Sequence, residues 1–253
     1  MSDFRKFFCD ATGNPDGPFP FQERFATGEN IPGLVNIPTG LGKTAMAVLG
    51  WLWRRRFASE AIREATPRRL VYCLPMRTLV EQTRDNAALW LRNLTNACGL
   101  NGEEIAVTVL MGGEDRTDWD LYPERDAIII GTQDMLLSRA LNRGYGMSRY
   151  RWPMHFGLLN NDCLWIFDEV QLLGNGMATG IQLDAFRLAL WPTAKACLSC
   201  WMSATNSADV FGTTDRMVLE VETPKPFELL ESDRLDESVK LLLNAEKKIE
   251  FFD

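Results

Sequence analysis

The stretch Ile37–Thr44 constrains the fold of this chain more than any other stretch. It reads Ile-Pro-Thr-Gly-Leu-Gly-Lys-Thr, follows the short apolar run 34–37 and opens a helical pattern over 44–57. Glycines allow the backbone to curl so that successive N–H groups point inward, and a helix N-terminus adds partial positive charge. A strand, a glycine-rich turn and a helix in this order predict a phosphate-binding loop. A surface loop with the same letters by chance is the alternative.

Each residue of the predicted loop has an expected task. The central backbone would surround the phosphates of ATP, the lysine would reach the β and γ phosphates, and the threonine hydroxyl would hold Mg²⁺. The residues concerned are Thr39, Gly40, Leu41, Gly42, Lys43 and Thr44. The strict pattern has a glycine where Ile37 stands, so the signature is incomplete.

A glutamine upstream of the loop is a candidate for reading the base. Gln22 lies in a short amphipathic helix predicted over 19–26. Its amide offers both a donor and an acceptor, which match the N6 and N7 edge of adenine. A glutamine on an exposed helix face is the alternative, and the local sequence leaves both open.

Composition limits the class of protein. The 253 residues suffice for one large domain or two small ones, and a hydrophobic fraction of 46% supports a buried core. No run of about 20 apolar residues is present and the start does not resemble a secretory signal, so we expect a cytoplasmic protein without a membrane segment. A net charge of −7 argues against broad wrapping of nucleic acid but permits a narrow track. The single histidine, His155, excludes a multi-histidine nuclease site.

Apolar runs alternate with helical patterns beyond the loop. Runs without strict polar alternation are typical of strands that are covered on both faces. The predicted strands are 34–37, 70–74, 105–110, 127–130, 164–167, 196–202 and 217–221. The predicted helices include 44–57, 79–94, 135–141 and 181–190. This alternation predicts a doubly wound α/β fold with a mostly parallel sheet and helices on both faces, whose ligands bind beyond the carboxyl ends of the strands.

The pattern changes near residue 223. The sequence Thr-Pro-Lys-Pro-Phe over 223–227 is followed by a charged helical pattern over 233–248 and a short apolar run over 249–252. We therefore expect one domain over 1–222, and over 223–253 a linker with the start of a further domain.

Two carboxylates follow the predicted strand 164–167. Asp168 and Glu169 would be costly to bury unless a cation or hydrogen bonds compensate them. We expect Asp168 to hold the magnesium ion and Glu169 to polarise the attacking water. Ser203 and Thr205 follow the strand 196–202 and could couple these carboxylates to the γ phosphate. An ordinary turn is the alternative there.

Two other strand ends suit contacts to a nucleic-acid backbone. Arg77 and Thr78 follow the run 70–74, and Thr132 and Gln133 follow the run 127–130. Each pair opens a helix, where backbone N–H groups also point outward. Plain helix caps are the alternative. The segment 139–152 interleaves four arginines with aromatic residues and could track a single strand or dock a protein, and we favour the strand slightly.

In this order, the motifs resemble the first RecA-like domain of superfamily-two helicases. They resemble more closely the helicase part of the CRISPR-associated helicase-nuclease of type I systems. The resemblance covers roughly 19–222 and is carried by Phe21-Gln22, Pro38–Thr44, Pro75–Gln82, Gly131–Asp134, Asp168–Leu172 and Ser203–Thr205. The sequence Phe167–Leu172 is the most telling for the CRISPR family, and many relatives have histidine where Gln171 stands.

The resemblance implies one motor domain of an ATP-dependent helicase that acts on DNA. The partners it implies are single-stranded DNA, the CRISPR RNA-guided surveillance complex, and a nuclease domain in the same or a separate chain. The arginines that complete the ATP site would come from outside this chain, so we expect the chain alone to bind nucleotide weakly and to unwind nothing.

Two other functions remain open on the sequence. One is a different superfamily-two motor, either an RNA remodeller or a restriction translocase. The other is a nucleotide-gated module that recruits a partner and never hydrolyses ATP. Stimulation of ATP turnover by DNA or by RNA would separate the motors from each other.

Overall fold

The structure is a computed structural model that describes residues 3–100, 104–112, 119–191, 193–204 and 208–244. Its strands are β1 Leu34–Asn36, β2 Arg69–Leu74, β3 Ile105–Leu110, β4 Asp126–Thr132, β5 Cys163–Phe167, β6 Cys197–Ser203 and β7 Pro226–Glu228. Its α-helices are α1 Asp3–Thr12, α2 Pro20–Thr27, α3 Lys43–Arg56, α4 Glu60–Ala65, α5 Arg77–Cys98, α6 Gln133–Ala140, α7 Trp152–Leu159, α8 Asn175–Ala189, α9 Thr214–Val218, α10 Glu231–Leu235 and α11 Glu237–Leu243.

The seven strands form one sheet in the order β3-β4-β2-β5-β6-β1-β7. Every pair of neighbouring strands is parallel. The predicted doubly wound α/β fold is therefore confirmed. The central strands β2 and β5 are buried along their whole length, which is why their sequences are continuous apolar runs.

Helices cover both faces of the sheet. In β2, Tyr72 belongs to a core that contains residues of α1, α2, α3 and α5. The side chains of Val71 and Cys73 belong to a second core, which contains residues of α6 and α8. Alternation of side chains along one strand thus feeds two separate hydrophobic layers. None of the helices in the described ranges is long and apolar enough to span a bilayer.

The prediction of a strand over 217–221 is wrong. Helix α9 covers Thr214–Val218 instead, and the side chains of Met217 and Val218 are 66% and 74% exposed. Thr213 caps this helix by accepting a hydrogen bond from the Arg216 N–H, at 3.4 Å. The buried Arg216 also pairs with Asp184 of α8. The cap and this ion pair therefore stabilise a helix here, and its apolar residues face outward.

The sheet continues past residue 222, where the sequence predicts a boundary. Strand β7 pairs in parallel with β1. The predicted helix over 233–248 is divided into α10 and α11, because the Asp236 carboxylate accepts hydrogen bonds from the N–H groups of Ser238 and Val239 and starts a new helix. The apolar run 249–252 lies outside the described residues. The boundary at 222 and the further domain stay predictions.

Candidate functional site

The predicted loop connects β1 to α3. Gly40 and Gly42 have φ angles of 87° and 69°, in the left-handed region that favours glycine. A Cβ on Gly42 would lie 2.8 Å from Nε2 of Gln22, so this position needs glycine for space as well. Among the described residues, none accepts a hydrogen bond from the backbone N–H groups of Gly40, Leu41 or Gly42. These donors are available to an anion in front of the helix N-terminus.

The remaining loop residues differ in exposure. The side chain of Leu41 is buried and packs into the first core, whereas Thr39 at the tip of the loop is exposed. Lys43 is only 6% exposed, and its Nζ donates a hydrogen bond to the carbonyl oxygen of Ile37 at 2.9 Å. Its ammonium group therefore lies inside the curve of the loop. The half-buried Thr44 follows it in the first turn of α3.

Asp168 ends β5 in a buried position beside the loop. Its Oδ1 accepts a hydrogen bond from the Glu169 N–H at 2.9 Å, and its Oδ2 accepts one from the hydroxyl of Tyr72 at 2.8 Å. Burial raises the pKa of Asp168 above its usual value and the charge of Glu169 adds to the rise, while the Tyr72 hydrogen bond and the charge of Lys43 oppose it. Because β1 and β5 both run parallel to β6, the loop after β1 and the acidic pair after β5 lie at the same edge of the sheet.

Glu169 has a strained backbone and a defined side-chain partner. Its φ of 50° is rare for a residue other than glycine and costs on the order of 1–3 kcal/mol. Its carboxylate accepts a hydrogen bond from the amide of Gln171, whose oxygen accepts one from the Ser203 hydroxyl at 2.8 Å. A chain of hydrogen bonds thus connects the end of β6 to Glu169. Thr205, the other predicted coupling residue, lies outside the described residues.

The residues at this edge fit a magnesium nucleotide. The free N–H groups of the loop and the ammonium of Lys43 suit phosphate oxygens, and the hydroxyl of Thr44 and the carboxylate of Asp168 are the oxygen ligands that Mg²⁺ prefers. A Cβ on Gly40 would meet no atom of the described residues within 4 Å, so there is open space beside this part of the loop.

Gln22 contacts the loop rather than solvent. Its side chain is 2% exposed, so the alternative of an exposed helix residue is wrong. The Nε2 donates to the carbonyl oxygen of Gly42 at 3.0 Å, and the Oε1 accepts from the N–H of Phe19 at 2.9 Å. The amide is thus fully engaged, and a contact with adenine, which stays a prediction, would require it to exchange partners.

The four predicted nucleic-acid residues lie at the carboxyl edge of two adjacent strands. Leu74 of β2 lies beside Thr132 of β4, so α5 and α6 start next to each other. Arg77 is exposed and donates a hydrogen bond to the carbonyl oxygen of Gly112 at 2.6 Å, and Thr78 is exposed beside it. Thr132 precedes α6 without using its hydroxyl as a cap. Their contacts to nucleic acid stay predictions.

Gln133 is less accessible than the sequence suggests. Its Oε1 is buried and has no hydrogen-bond partner among the residues that the structure describes. A Cβ on Gly176 would lie 1.9 Å from this oxygen, so the Gln133 side chain packs against the start of α8. Only a rearrangement would bring its carbonyl to a ligand.

The arginine-rich segment 139–152 lies at the opposite edge of the sheet. It follows α6, whose last residue Ala140 accepts a hydrogen bond from Asn160, just before β5 begins. Arg139 is 2% exposed and donates to its own helix, and Arg151 pairs with the buried Asp120. These two arginines support the fold. A role of the segment in tracking a single strand or in docking a protein stays a prediction.

One contributor to the site was not expected from the sequence. Tyr72, in the middle of β2, supplies the hydroxyl that donates a hydrogen bond to Oδ2 of Asp168. The only signal in the sequence is a hydroxyl group within an otherwise apolar strand, and it says nothing about which residues lie beside it.

Known proteins share this architecture. The sequence model described as DEAD/DEAH box helicase matches residues 23–211. No curated protein sequence matches the chain. Similar solved structures include Mss116p bound to ssRNA and AMP-PNP, with 16% identity and a TM-score of 0.55 over 90% of this chain and 42% of that one.

Two further structures bind DNA according to their descriptions. The DUF1998 helicase MrfA bound to DNA has 16% identity and a TM-score of 0.58 over 90% of this chain and 30% of that one. The Mycobacterium smegmatis helicase Lhr bound to ssDNA and AMP-PNP has 21% identity and a TM-score of 0.55 over 90% of this chain and 27% of that one. At these identities the likeness shows the fold alone. The chain spans less than half the length of each of the three proteins.

Proposed function

The chain belongs to the DEAD/DEAH box helicase family, within superfamily two, and from this premise we propose that it is the ATP-binding half of a motor that moves on DNA. The observation that carries this proposal is the convergence of Lys43 and Asp168 at one edge of the sheet. Conversion of ATP binding into movement would also require arginines and a second motor domain from outside the chain.

The phosphate site is assigned to the loop and the start of α3. The N–H groups of Gly40, Leu41 and Gly42 bind phosphate oxygens, and Lys43 leaves the Ile37 carbonyl to bind the β and γ phosphates. Thr44 and Asp168 would hold Mg²⁺, which when bound would offset the charge of the triphosphate.

Hydrolysis is assigned to Glu169. Its carboxylate orients the attacking water and accepts a proton from it. The Gln171 amide holds this carboxylate, and Ser203 holds the Gln171 oxygen, so a displacement at the end of β6 changes the orientation of the base. An amide has no charge to titrate near neutral pH, unlike the histidine of many relatives, so this connection works independently of pH.

Binding of nucleic acid is assigned to the residues that follow the neighbouring ends of β2 and β4. The exposed Arg77 and Thr78, with the free hydroxyl of Thr132, face outward from two helix N-termini. Such groups bind the sugar-phosphate backbone without reading the sequence. Gln133 joins them only after its buried oxygen is released.

A role in CRISPR interference is the most specific part of the proposal. It rests on the sequence Phe167–Leu172, and on the order of the motifs around it. In this role the motor acts with an RNA-guided surveillance complex and with a nuclease domain in the same or another chain. The test is whether the complete protein binds a purified surveillance complex on its target DNA and fails to do so without the target.

Nucleotide binding tests the basis of the proposal. A fluorescent N-methylanthraniloyl ATP analogue should bind the wild-type chain more tightly with Mg²⁺ than with EDTA. Lys43→Ala should weaken the binding at least tenfold, because the lysine supplies a buried charge to the phosphates, a contribution of about 1.5–3 kcal/mol. The matched control is Lys225→Ala, at an exposed lysine. Equal affinities of the Lys43→Ala variant and the control would overturn the assignment of the loop.

ATP turnover by the complete protein tests the choice of nucleic acid. We expect single-stranded DNA to stimulate turnover more than RNA of the same sequence. Greater stimulation by RNA would favour an RNA remodeller over a DNA motor. The RNA remodeller is the second candidate because the fold resembles that of Mss116p bound to ssRNA. Nucleotide binding without any turnover would favour the partner-recruiting module.

A further inference from the structure

The segment 226–235 contains β7 and α10 and contacts two elements that hold the nucleotide loop. Strand β7 pairs with β1, the strand that leads into the loop. Helix α10 contacts α2 through an ion pair, in which Nη2 of Arg24 lies 3.1 Å from Oδ2 of Asp233. Because α2 also carries Gln22, one short helix joins this segment to the loop.

Arg24 makes three contacts with the segment 226–235. Besides the ion pair with Asp233, its Nη2 donates a hydrogen bond to the carbonyl oxygen of Glu228 at 2.6 Å. Its guanidinium carbon lies 4.4 Å from the centre of the Phe227 ring, within the range of a cation–π contact. The Asp233 carboxylate is buried and also accepts a hydrogen bond from the Leu230 N–H at 2.7 Å. One arginine thus holds both the strand and the helix of this segment.

Two residues earlier in the same helix, Gln22 contacts the loop. Its Nε2 donates a hydrogen bond to the carbonyl oxygen of Gly42 at 3.0 Å, and its Oε1 accepts one from the Phe19 N–H at 2.9 Å. These two bonds fix the orientation of the amide. A displacement of α2 would therefore break or strain a contact with the residue that directly precedes Lys43.

The geometry points to Arg24 as a positioning residue: it fastens α2 to the segment 226–235, and this segment thereby controls the affinity of the loop for nucleotide. The inference rests on the proposed function, which assigns the loop to nucleotide binding. Without the ion pair, α2 leaves the position in which Gln22 supports the loop, and the apparent affinity falls with the fraction of molecules that are competent to bind. The coupling is reciprocal, so nucleotide that orders the loop also orders the segment.

The first test measures binding of the fluorescent ATP analogue with Mg²⁺. Asp233→Asn removes the charge and keeps an oxygen that accepts the Leu230 N–H. We expect the affinity to fall about three- to tenfold, which corresponds to a competent fraction of about 0.1–0.3. Arg24→Gln should lower the affinity in the same direction, but it leaves a buried carboxylate without its partner and is the less stable variant. The matched control is Arg92→Gln, at an exposed arginine of α5.

A double-mutant cycle separates this route from a general loss of structure. In a Gln22→Ala background, Asp233→Asn should lower the affinity by less than about twofold, because the connection to the loop is already broken. An equal loss in both backgrounds would overturn the positioning role, since the ion pair would then act on nucleotide binding by a route other than Gln22.

Hydrogen exchange tests the reverse direction and completes the separation from the proposed function. Saturating ATP analogue should slow amide exchange over 226–235 in the wild type, and Gln22→Ala should abolish the slowing. Exchange that does not respond to nucleotide in the wild type, or an unchanged affinity in Asp233→Asn, would overturn the inference while the nucleotide site would stand. A wild-type chain that does not bind the analogue would overturn the proposed function itself, and the inference with it.

Discussion

Two buried aspartates lie at opposite edges of the same sheet and have opposite electrostatic environments. Asp168 follows β5 at the carboxyl edge and is 5% exposed, and Asp120 precedes β4 at the amino edge and is 2% exposed. Burial raises the pKa of Asp168. Burial alone would raise the pKa of Asp120 too, but hydrogen bonds from Arg151 and His155 outweigh it, and the pKa is lowered.

The difference lies in the partners of each carboxylate. Asp120 accepts hydrogen bonds from Nε of the Arg151 guanidinium and from Nε2 of His155, each at 2.9 Å. Among the described residues, Asp168 accepts hydrogen bonds from neutral donors, the Tyr72 hydroxyl and the Glu169 N–H. The carboxylate at the amino edge is thus paired with a charged partner in direct contact, whereas the charge of Lys43 compensates the one at the carboxyl edge only in part. A buried carboxylate that is only partly compensated is what a cation site requires.

Glu169→Gln should produce the largest effect, and only on function. We expect single-turnover hydrolysis by the complete protein to slow by about 10²–10⁴-fold, because the amide cannot accept the proton of the attacking water. Unfolding by denaturant should hardly change, since Glu169 is half-exposed. A slowing of less than tenfold would exclude Glu169 as the base.

Asp120→Asn should produce the largest loss of stability. The free energy of unfolding should fall by about 2–3 kcal/mol, because the Arg151 charge loses its buried partner but keeps partial access to solvent. The matched control is Asp85→Asn, in the exposed pair with Arg84, with an expected change below about 0.5 kcal/mol. Denaturant midpoints measure both. Equal changes in the two variants would mean that the buried pair of Asp120 with Arg151 contributes no more to stability than the exposed pair of Asp85 with Arg84.

Asp168→Asn should change stability in the opposite direction. A carboxyl with a raised folded pKa stabilises the protein most when it is protonated, below the unfolded pKa of about 3.9, and this contribution is lost as pH rises through the folded pKa. At pH 7 the neutral amide should therefore leave the free energy of unfolding unchanged or raise it by up to about 1 kcal/mol. A loss as large as that of Asp120→Asn would mean that the two edges do not differ.

The smallest expected effect is a change in the pH dependence of stability in His155→Gln. Burial lowers the pKa of His155, with Asp120 opposing the shift, so the neutral form is favoured in the folded protein. Stability is then lost as pH falls from about 6.5 toward the folded pKa. The wild type should lose more stability than His155→Gln between pH 7 and pH 5, by less than about 1 kcal/mol. Parallel pH profiles would show that His155 does not contribute.

Much of the sheet could be predicted because both of its faces are covered. Strand β5 and the residues 70–74 of β2 are continuous apolar runs, which is the signal that predicted them. The three residues of β7 are largely exposed, and a strand of this length is too short to give such a signal. Helix α1 is not among the predicted helices, although its buried residues Phe4, Phe7 and Phe8 follow helical spacing.

The site was predictable in its residue types but not in its contacts. The letters around Lys43 and Asp168 indicate a phosphate loop and a metal ligand. The bond from Tyr72 to Asp168 joins residues 96 positions apart, and it depends on β2 lying beside β5. The burial of Gln22 against Gly42 depends likewise on how α2 packs on α3. No local pattern contains that information.

The most direct test of the central claim is a double-mutant cycle on magnesium-dependent nucleotide binding. The claim is that Thr44 and Asp168 hold one and the same ion. Thr44→Ala and Asp168→Asn should each reduce the gain in affinity that Mg²⁺ gives to the fluorescent ATP analogue, and the double variant should lose less than the sum, with a coupling of about 0.5–3 kcal/mol. Strictly additive losses would contradict the claim, since they would mean that the two residues act at independent sites.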